Sequence, residues 1–253
     1  MTSAHAVYPS LAGRAVFVTG GGSGIGAAIV AAFARQKSKV AFVDIDEKAS
    51  AAVQAGLGDT PGHFERCDVR DVAALRQAIQ NARERLGPIT VLVNNAARDD
   101  RHASEEVTPE YWDERIAVNL KHQFFASQAV APMMKEAGGG SIINMGSTSW
   151  MIGLGGMVAY TASKSAVTGL TRSLARDLGP FNIRVNTLLP GWIMTERQTT
   201  LWLTPEGEKT LMQSQCLKRK LYPEDIAKVA LFLASDESGA CTNQDFIADG
   251  GWI

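Results

Sequence analysis

The sequence predicts an α/β fold, a single doubly wound parallel sheet of about seven strands with helices on both faces. Three observations carry this. Short, continuous apolar runs recur along the chain, as strands buried on both faces require. Helix-period segments separate those runs, so consecutive strands are joined by crossovers and not by hairpins. The chain has 253 residues, 45% hydrophobic and 20% charged, which suits one globular domain over residues 1–253.

The elements follow in order. Arg14–Thr19 (RAVFVT) reads as the first strand, and after a glycine-rich turn Ile25–Arg35 reads as a helix apolar on most faces. Lys39–Asp44 (KVAFVD) is the second strand and Glu47–Gln54 the next helix. His63–Cys67 is a weaker strand, Val72–Leu86 an amphipathic helix, and Thr90–Asn94 a fourth strand. Pro109–Glu136 reads as one long helix with a kink at Pro132. Ser141–Met145 is a strand, Val158–Leu178 a long helix stopped by Gly179-Pro180, and Ile183–Leu189 the sixth strand. Pro223–Ala234 is the last helix and Asp245–Ala248 the last strand. Thr195–Gln215 breaks this rhythm and reads as an insertion, a lid over the substrate. Right-handed crossovers place ligands at the carboxyl ends of the strands.

Composition excludes several classes of partner. Net charge is −1, so no long-range field favours nucleic acid or an anionic membrane. Lys218-Arg219-Lys220 reads as a solvated turn, not a polyanion site. The three cysteines, Cys67, Cys216 and Cys241, are far apart, so neither a disulfide framework nor a metal site is expected and a cytoplasmic setting is. The opening MTSAHAVYPSLAGR lacks the apolar core of a leader, and no apolar run is long enough to span a membrane.

The turn after the first strand is Thr19-Gly20-Gly21-Gly22-Ser23-Gly24-Ile25-Gly26. Such a turn brings backbone amides against a pyrophosphate at a helix N-terminus, and side chains at Gly20, Gly24 or Gly26 would block it. A glycine-rich turn alone says little. Here it follows a strand, opens a helix and precedes Asp44 at the end of the next strand, which is the setting of a Rossmann-type dinucleotide site. Asp44 can accept the ribose hydroxyls of NAD and would repel the 2′-phosphate of NADP by about 4 kcal/mol. Neither Ser23 nor Ile45 supplies a compensating cation, so NAD is the expected cofactor. The other reading of Asp44, a helix cap, fits Asp46 better. Asp68, followed by Val69, either reaches the adenine amino group or caps a helix. Asn94-Asn95-Ala96-Ala97 supplies small residues where a loop passes the cofactor.

Tyr160 and Lys164 stand four residues apart on a helix and share a face. An ammonium beside a phenol favours tyrosinate. Bringing that pKa down from about 10 to a useful range takes roughly 3–4 kcal/mol. Ser147, at the end of the fifth strand, places its hydroxyl in the same crevice, where it can orient a substrate oxygen. Asn119 either holds a water that extends a proton path from Lys164 or makes a core hydrogen bond.

TGGGSGIG, NNAA, Asn119, Ser147 and YTASK, in this order and spacing, resemble the short-chain dehydrogenase/reductase family over essentially the whole chain. The resemblance implies seven strands, a Ser147–Tyr160–Lys164 centre assisted by Asn119, and a homotetramer or homodimer. It also places Pro190, Gly191, Ile193 and Thr195 at the nicotinamide end, with Lys164 on the nicotinamide ribose. The second alanine of NNAA stands where glycine is commoner in the family. The stretches AARDDRHASEEVTPEYWDERIAVNLKH, STSW and RSLARDLG resemble the aldose 1-dehydrogenases within it. This implies hydride transfer from C1 of a pentose or hexose to NAD, giving an aldonolactone. A carbonyl or 3-oxoacyl reductase and a non-catalytic NAD-binding protein are the rival readings.

A sugar site needs polar groups and an aromatic wall. The substrate-site candidates are Asp100, Trp150 and Trp192, with Ser147 and Tyr160. The run Asp99-Asp100-Arg101-His102 either faces the sugar or forms a solvated, internally paired loop. His102 reads as structural, Trp112 and Trp252 as packing or interface residues, and Trp202 as a lid residue.

Overall fold

Alternate residues of the first strand serve two different cores. Ala15 and Phe17 pack on one side of the sheet, Val16 and Val18 on the other, and all four are buried. This explains why the strand shows no hydrophobic alternation: with helices on both faces, neither face is wet. The computed structural model describes residues 6–58 and 60–253. The first five residues, part of the opening stretch read as lacking a leader's core, lie outside them.

The seven strands are β1 (Ala15–Thr19), β2 (Lys39–Asp44), β3 (Gly62–Arg66), β4 (Ile89–Asn94), β5 (Gly140–Met145), β6 (Ile183–Pro190) and β7 (Asp245–Ala248). They form one sheet in the order β3-β2-β1-β4-β5-β6-β7, parallel throughout. The helices are α1 (Gly24–Arg35), α2 (Glu47–Ala55), α3 (Val72–Leu86), α4 (Pro109–Ile116), α5 (His122–Glu136), α6 (Val158–Leu178), α7 (Glu196–Leu201), α8 (Pro205–Ser214) and α9 (Pro223–Ala234). Residues of α1 and α9 cover one face; α3, α5 and α6 cover the other. No helix among the described residues is long and apolar enough to cross a membrane.

The predicted elements stand, with three informative differences. The strand read at His63–Cys67 begins and ends one residue earlier. The segment read as one helix over 109–136 is α4, a π-helical stretch at Ala117–Lys121, and α5. The irregularity thus falls at Asn119, well before the kink predicted at Pro132. The insertion at 195–215 is two short helices, each opened by a threonine cap: Thr195 accepts from the Gln198 amide and Thr204 from the Gly207 amide.

Strand order reverses between β1 and β4, and their carboxyl ends diverge there into a crevice. The glycine turn lies at this point. A Cβ on Gly26 would stand 1.8 Å from the Gly20 carbonyl oxygen, and one on Gly20, at φ +67°, would stand 2.8 Å from Ala96 Cα. The contact that sets the helix against the turn therefore tolerates no side chain. Gly26→Ala should lower the thermal midpoint by roughly 2–12 °C, the effect of about 1–3 kcal/mol of overpacking in a domain of this size. Thermal denaturation followed by circular dichroism measures this; an unchanged midpoint would mean the turn yields freely.

Candidate active site

Ser23 caps α1 but makes no side-chain capping hydrogen bond. The first-turn amides of α1 are thus left for an anion at the positive end of the helix. Asn95 braces the turn from β4. Its Nδ2 donates to the Thr19 and Gly20 carbonyls at 3.1 and 2.9 Å. Thr19 Oγ1 in return accepts from the amides of Asn95 and Ala96.

A cleft of about 640 Å³ runs along this edge. Gly20, Ser23, Gly24, Ile25 and Gly26 line it, with Asp44, Asp68 and Val69 on one side and Asn95, Ala96 and Thr195 on the other. Asp44 Oδ2 accepts from the Gly22 amide at 2.9 Å, which aims the carboxylate at the cleft, while Asp46 caps α2. Asp68 does not cap α3, because Asp71 accepts both first-turn amides. Asp68 instead pairs with Arg70, whose guanidinium holds its carboxyl below the usual range. The glycine cradle, the free helix end and the ribose-height carboxylate fit a nicotinamide dinucleotide.

A second cavity, of about 490 Å³, opens at the other end and shares Ile25, Asn95, Ala97 and Thr195 with the cleft. Ser147, Tyr160 and Lys164 all line it, together with Pro190, Gly191 and Ile193. The three predicted catalytic side chains therefore meet where the cofactor cleft ends. Ser147 Oγ donates to Ser149 Oγ at 3.0 Å and accepts from the Ser149 amide at 3.1 Å.

The electrostatics correct one expectation. The Tyr160 phenol is shifted up, not down, first because burial penalises phenolate and then because the Asp99 carboxylate lies near; a hydrogen bond from the Ser147 side pulls it partly back. Tyr160 still faces the open cavity, so solvent there moderates the rise. Lys164 is almost fully buried and donates to the Met145 carbonyl at 2.7 Å. Its Nζ is 5.6 Å from the Tyr160 ring centre. Burial drives its pKa to about 7, against a modest upward pull from Asp99. One helical turn brings the pair together, but the same burial that aligns them taxes both charges. His122, fully buried near Thr19 Oγ1 at 3.3 Å, is pushed by burial and then by Lys164 to about 3 and stays neutral.

The Asn119 side chain serves the core. Its Oδ1 accepts from the Arg98 amide at 2.8 Å and its Nδ2 donates to the Arg98 carbonyl at 3.0 Å. Its own carbonyl accepts from Gln123 Nε2 at 3.0 Å. With both ends of its amide engaged, the side chain holds the loop after β4.

The substrate candidates divide. Trp192 lines the cavity and donates through Nε1 to Gln198 Oε1 at 2.9 Å. Asp100 does not line it. The chain after β4 is extended, so neighbouring side chains alternate, and Asp99 and Arg101 take the cavity side. Asp100 is drawn the other way, to the buried Arg115 at 2.6 Å. Trp150 is turned off the cavity by the single 3₁₀ turn Thr148–Trp150, leaving Ser149 on its wall. The run is not an internally paired loop: Arg197 of α7 bonds Asp99 at 3.1 Å and Asp100 at 2.6 Å, and Gln198 Nε2 bonds Asp99 at 2.5 Å. His102 is structural, its ring edge-on to Tyr111 at 5.1 Å. Sequence reasoning missed Gln198 and set Trp252 aside as packing; both line the cavity, as does Trp202 beneath Arg101 at 4.9 Å. Only the polarity of the insertion hinted at Gln198.

This fold and site define a nicotinamide-dependent oxidoreductase, and the chain belongs to the short-chain dehydrogenase/reductase family. Residues 20–253 match a family model described as enoyl-(acyl carrier protein) reductase. The chain is 53% identical to a probable galactose dehydrogenase of Rhizobium meliloti, over 99% of each chain. It is 48% identical to D-xylose 1-dehydrogenase of Caulobacter vibrioides, over 98% of each. Among solved structures, a putative short-chain alcohol dehydrogenase from Sinorhizobium meliloti superposes with a TM-score of 0.92, at 34% identity, covering 96% of this chain and 98% of the other.

Lys164 should leave a signature in stability. The unfolded chain keeps the lysine proton up to about 10.5, whereas the folded chain releases it near 7. Between those values the unfolded state binds more protons, so stability rises with pH, by up to about 1.4 kcal/mol per pH unit. Urea denaturation from pH 7 to 9 should show this gain in the wild type and lose it in Lys164→Met. Parallel curves would refute the assignment.

Proposed function

We propose that this protein oxidises an aldose, a pentose or hexose, at C1 with NAD and releases an aldonolactone. The meeting of Ser147, Tyr160 and Lys164 in one cavity, continuous with the glycine-turn cleft, carries the reading. The similarity to sugar dehydrogenases supports the substrate class. Ser147 receives the anomeric hydroxyl and orients it toward Tyr160. Tyr160 takes the hydroxyl proton as hydride leaves C1, so the sugar loses two hydrogens and gains a carbonyl. A nicotinamide held between the glycine turn and Pro190-Gly191 would supply the hydride acceptor, and its positive charge would offset the burial cost of phenolate at Tyr160. Lys164 relays the proton onward and would hold the nicotinamide ribose of a bound cofactor.

Asp44 supports NAD over NADP, since a 2′-phosphate would stand against its carboxylate. The absence of close cysteine pairs favours the reducing cytosol. The family resemblance favours a homo-oligomer, dimer or tetramer.

Purified protein with NAD should form NADH on at least one of D-xylose, L-arabinose, D-galactose and L-fucose. Tyr160→Phe should lower kcat by at least about 10²-fold, the usual size of general-base catalysis, and still bind NADH. Silence across the panel would reject the aldose assignment, and an unaffected Tyr160→Phe would reject the mechanism. Asp44→Ser should reduce the NAD-to-NADP ratio of kcat/KM by at least about tenfold, given the repulsion removed; an unchanged ratio would place the discrimination elsewhere.

A further inference from the structure

β7 ends at Ala248, and the chain then makes a tight turn through Asp249, Gly250 and Gly251 to Trp252. Gly250 and Gly251 both hold left-handed backbone, at φ +74° and +80°. A Cβ on Gly250 would meet Gln215 Nε2 at 2.9 Å, and one on Gly251 would meet Cys216 Cβ at 2.8 Å. Two consecutive left-handed residues packed this closely need glycine at both positions.

The turn is clasped from two directions. Asp249, 4% exposed, accepts from the Gly251 amide through Oδ1 at 2.7 Å and from the Ile253 amide through Oδ2 at 3.0 Å. Those two bonds bracket Trp252. The segment leaving α8 docks on the other side: the Cys216 amide donates to the Gly251 carbonyl at 3.0 Å and the Leu217 amide to the Gly250 carbonyl at 2.9 Å. Buried Gln215 secures that segment by donating to the Leu217 and Arg219 carbonyls. A turn held this way at its end and its flank delivers its next side chain to a defined place.

That side chain lines the catalytic cavity. It does not line the dinucleotide cleft. Of the cavity's other tryptophans, Trp192 lies between β6 and the insertion, and Trp202 directly follows α7 within it. Trp252 reaches the same space from the far edge of the sheet. An indole offers a flat apolar face that suits the C–H side of a sugar ring, while Asp99 and Gln198 offer the polar contacts.

We propose that Trp252 is a specificity-determining residue whose indole forms a fixed wall against the sugar, and that Asp249 is the positioning residue that sets it there. The wall rests on the aldose reading for the identity of what stacks on it, though not for its place in the cavity.

The test compares the wild type with Trp252→Ala, Trp252→Leu, Trp252→Phe and Asp249→Asn by steady-state kinetics on the best aldose and by NADH binding through fluorescence. Trp252→Ala should raise the sugar KM at least tenfold, change kcat less than threefold, and leave the NADH Kd within twofold. Trp252→Phe should recover most of the loss and Trp252→Leu less, since leucine keeps apolar bulk without a ring. Asp249→Asn, which replaces one of the two acceptors with a donor, should raise KM to an intermediate value with NADH binding intact. A sugar KM within twofold of wild type in Trp252→Ala would overturn the proposal, as would equal loss of sugar and NADH binding. Should Trp252→Ala not fold, equal KM values for the Phe and Leu variants would overturn it. If the wild type ignores aldoses and oxidises an open-chain polyol, the aldose reading fails separately. The same KM comparison on that polyol then decides the role of Trp252.

Discussion

The site depends on the clasp between Thr19 and Asn95. These residues end β1 and follow β4, the two strands between which the winding of the sheet reverses. Thr19 Oγ1 takes two amides from the β4 side, and Asn95 Nδ2 returns two bonds to the carbonyls of Thr19 and Gly20. Gly20, Gly21 and Gly22 have no side chains with which to hold the turn. Its position is set from outside, by an asparagine just after the neighbouring strand. The free amides of α1, the carboxylate of Asp44 and the cavity beyond Ile25 all take their places from that bracing.

The catalytic half obeys a different constraint, the cost of burying charge. Lys164 lies in the interior with one carbonyl partner, and its pKa falls to about 7. Tyr160 is pushed toward the neutral phenol. His122 stays neutral in the same region. Asp99 is the nearby anion, and both Tyr160 and Lys164 feel it. Arg197 and Gln198 of α7 hold that anion in place. The helix of the insertion thus acts on the reacting groups at a distance, by fixing the carboxylate beside them.

The fold and the cofactor half were legible because they are written in local pattern. Apolar runs of strand length, a glycine turn between strand and helix, and an aspartate one strand later are each a few residues wide. Tyr160 and Lys164 were legible for the same reason, their spacing being one helical turn. What spacing does not contain is burial, so the sign of the Tyr160 shift was misjudged. Asp100 and Trp150 were misplaced through a one-residue phase. Whether Asp99 or Asp100 faces the cavity depends on where the extended chain leaves β4, and a slip of one residue exchanges the two sides. The π-helical stretch at Asn119 is not legible in the pattern, which reads as one helix over 109–136.

Trp252 was lost for a further reason. Nothing in GGW says that its indole belongs to a cavity whose other lining residues run from Ile25 to Thr210. The information is tertiary: a buried aspartate that holds two amides, two left-handed glycines, and the stretch after α8 docked against them. Backbone builds the cofactor cleft, and side chains from separate parts of the chain build the substrate cavity. Backbone geometry is set by a few glycines and caps and admits little variation. A wall assembled from loops can change one residue at a time without disturbing the sheet, which is how one scaffold hosts many substrates. The specificity of this protein therefore resides in the part of the chain that local patterns describe least.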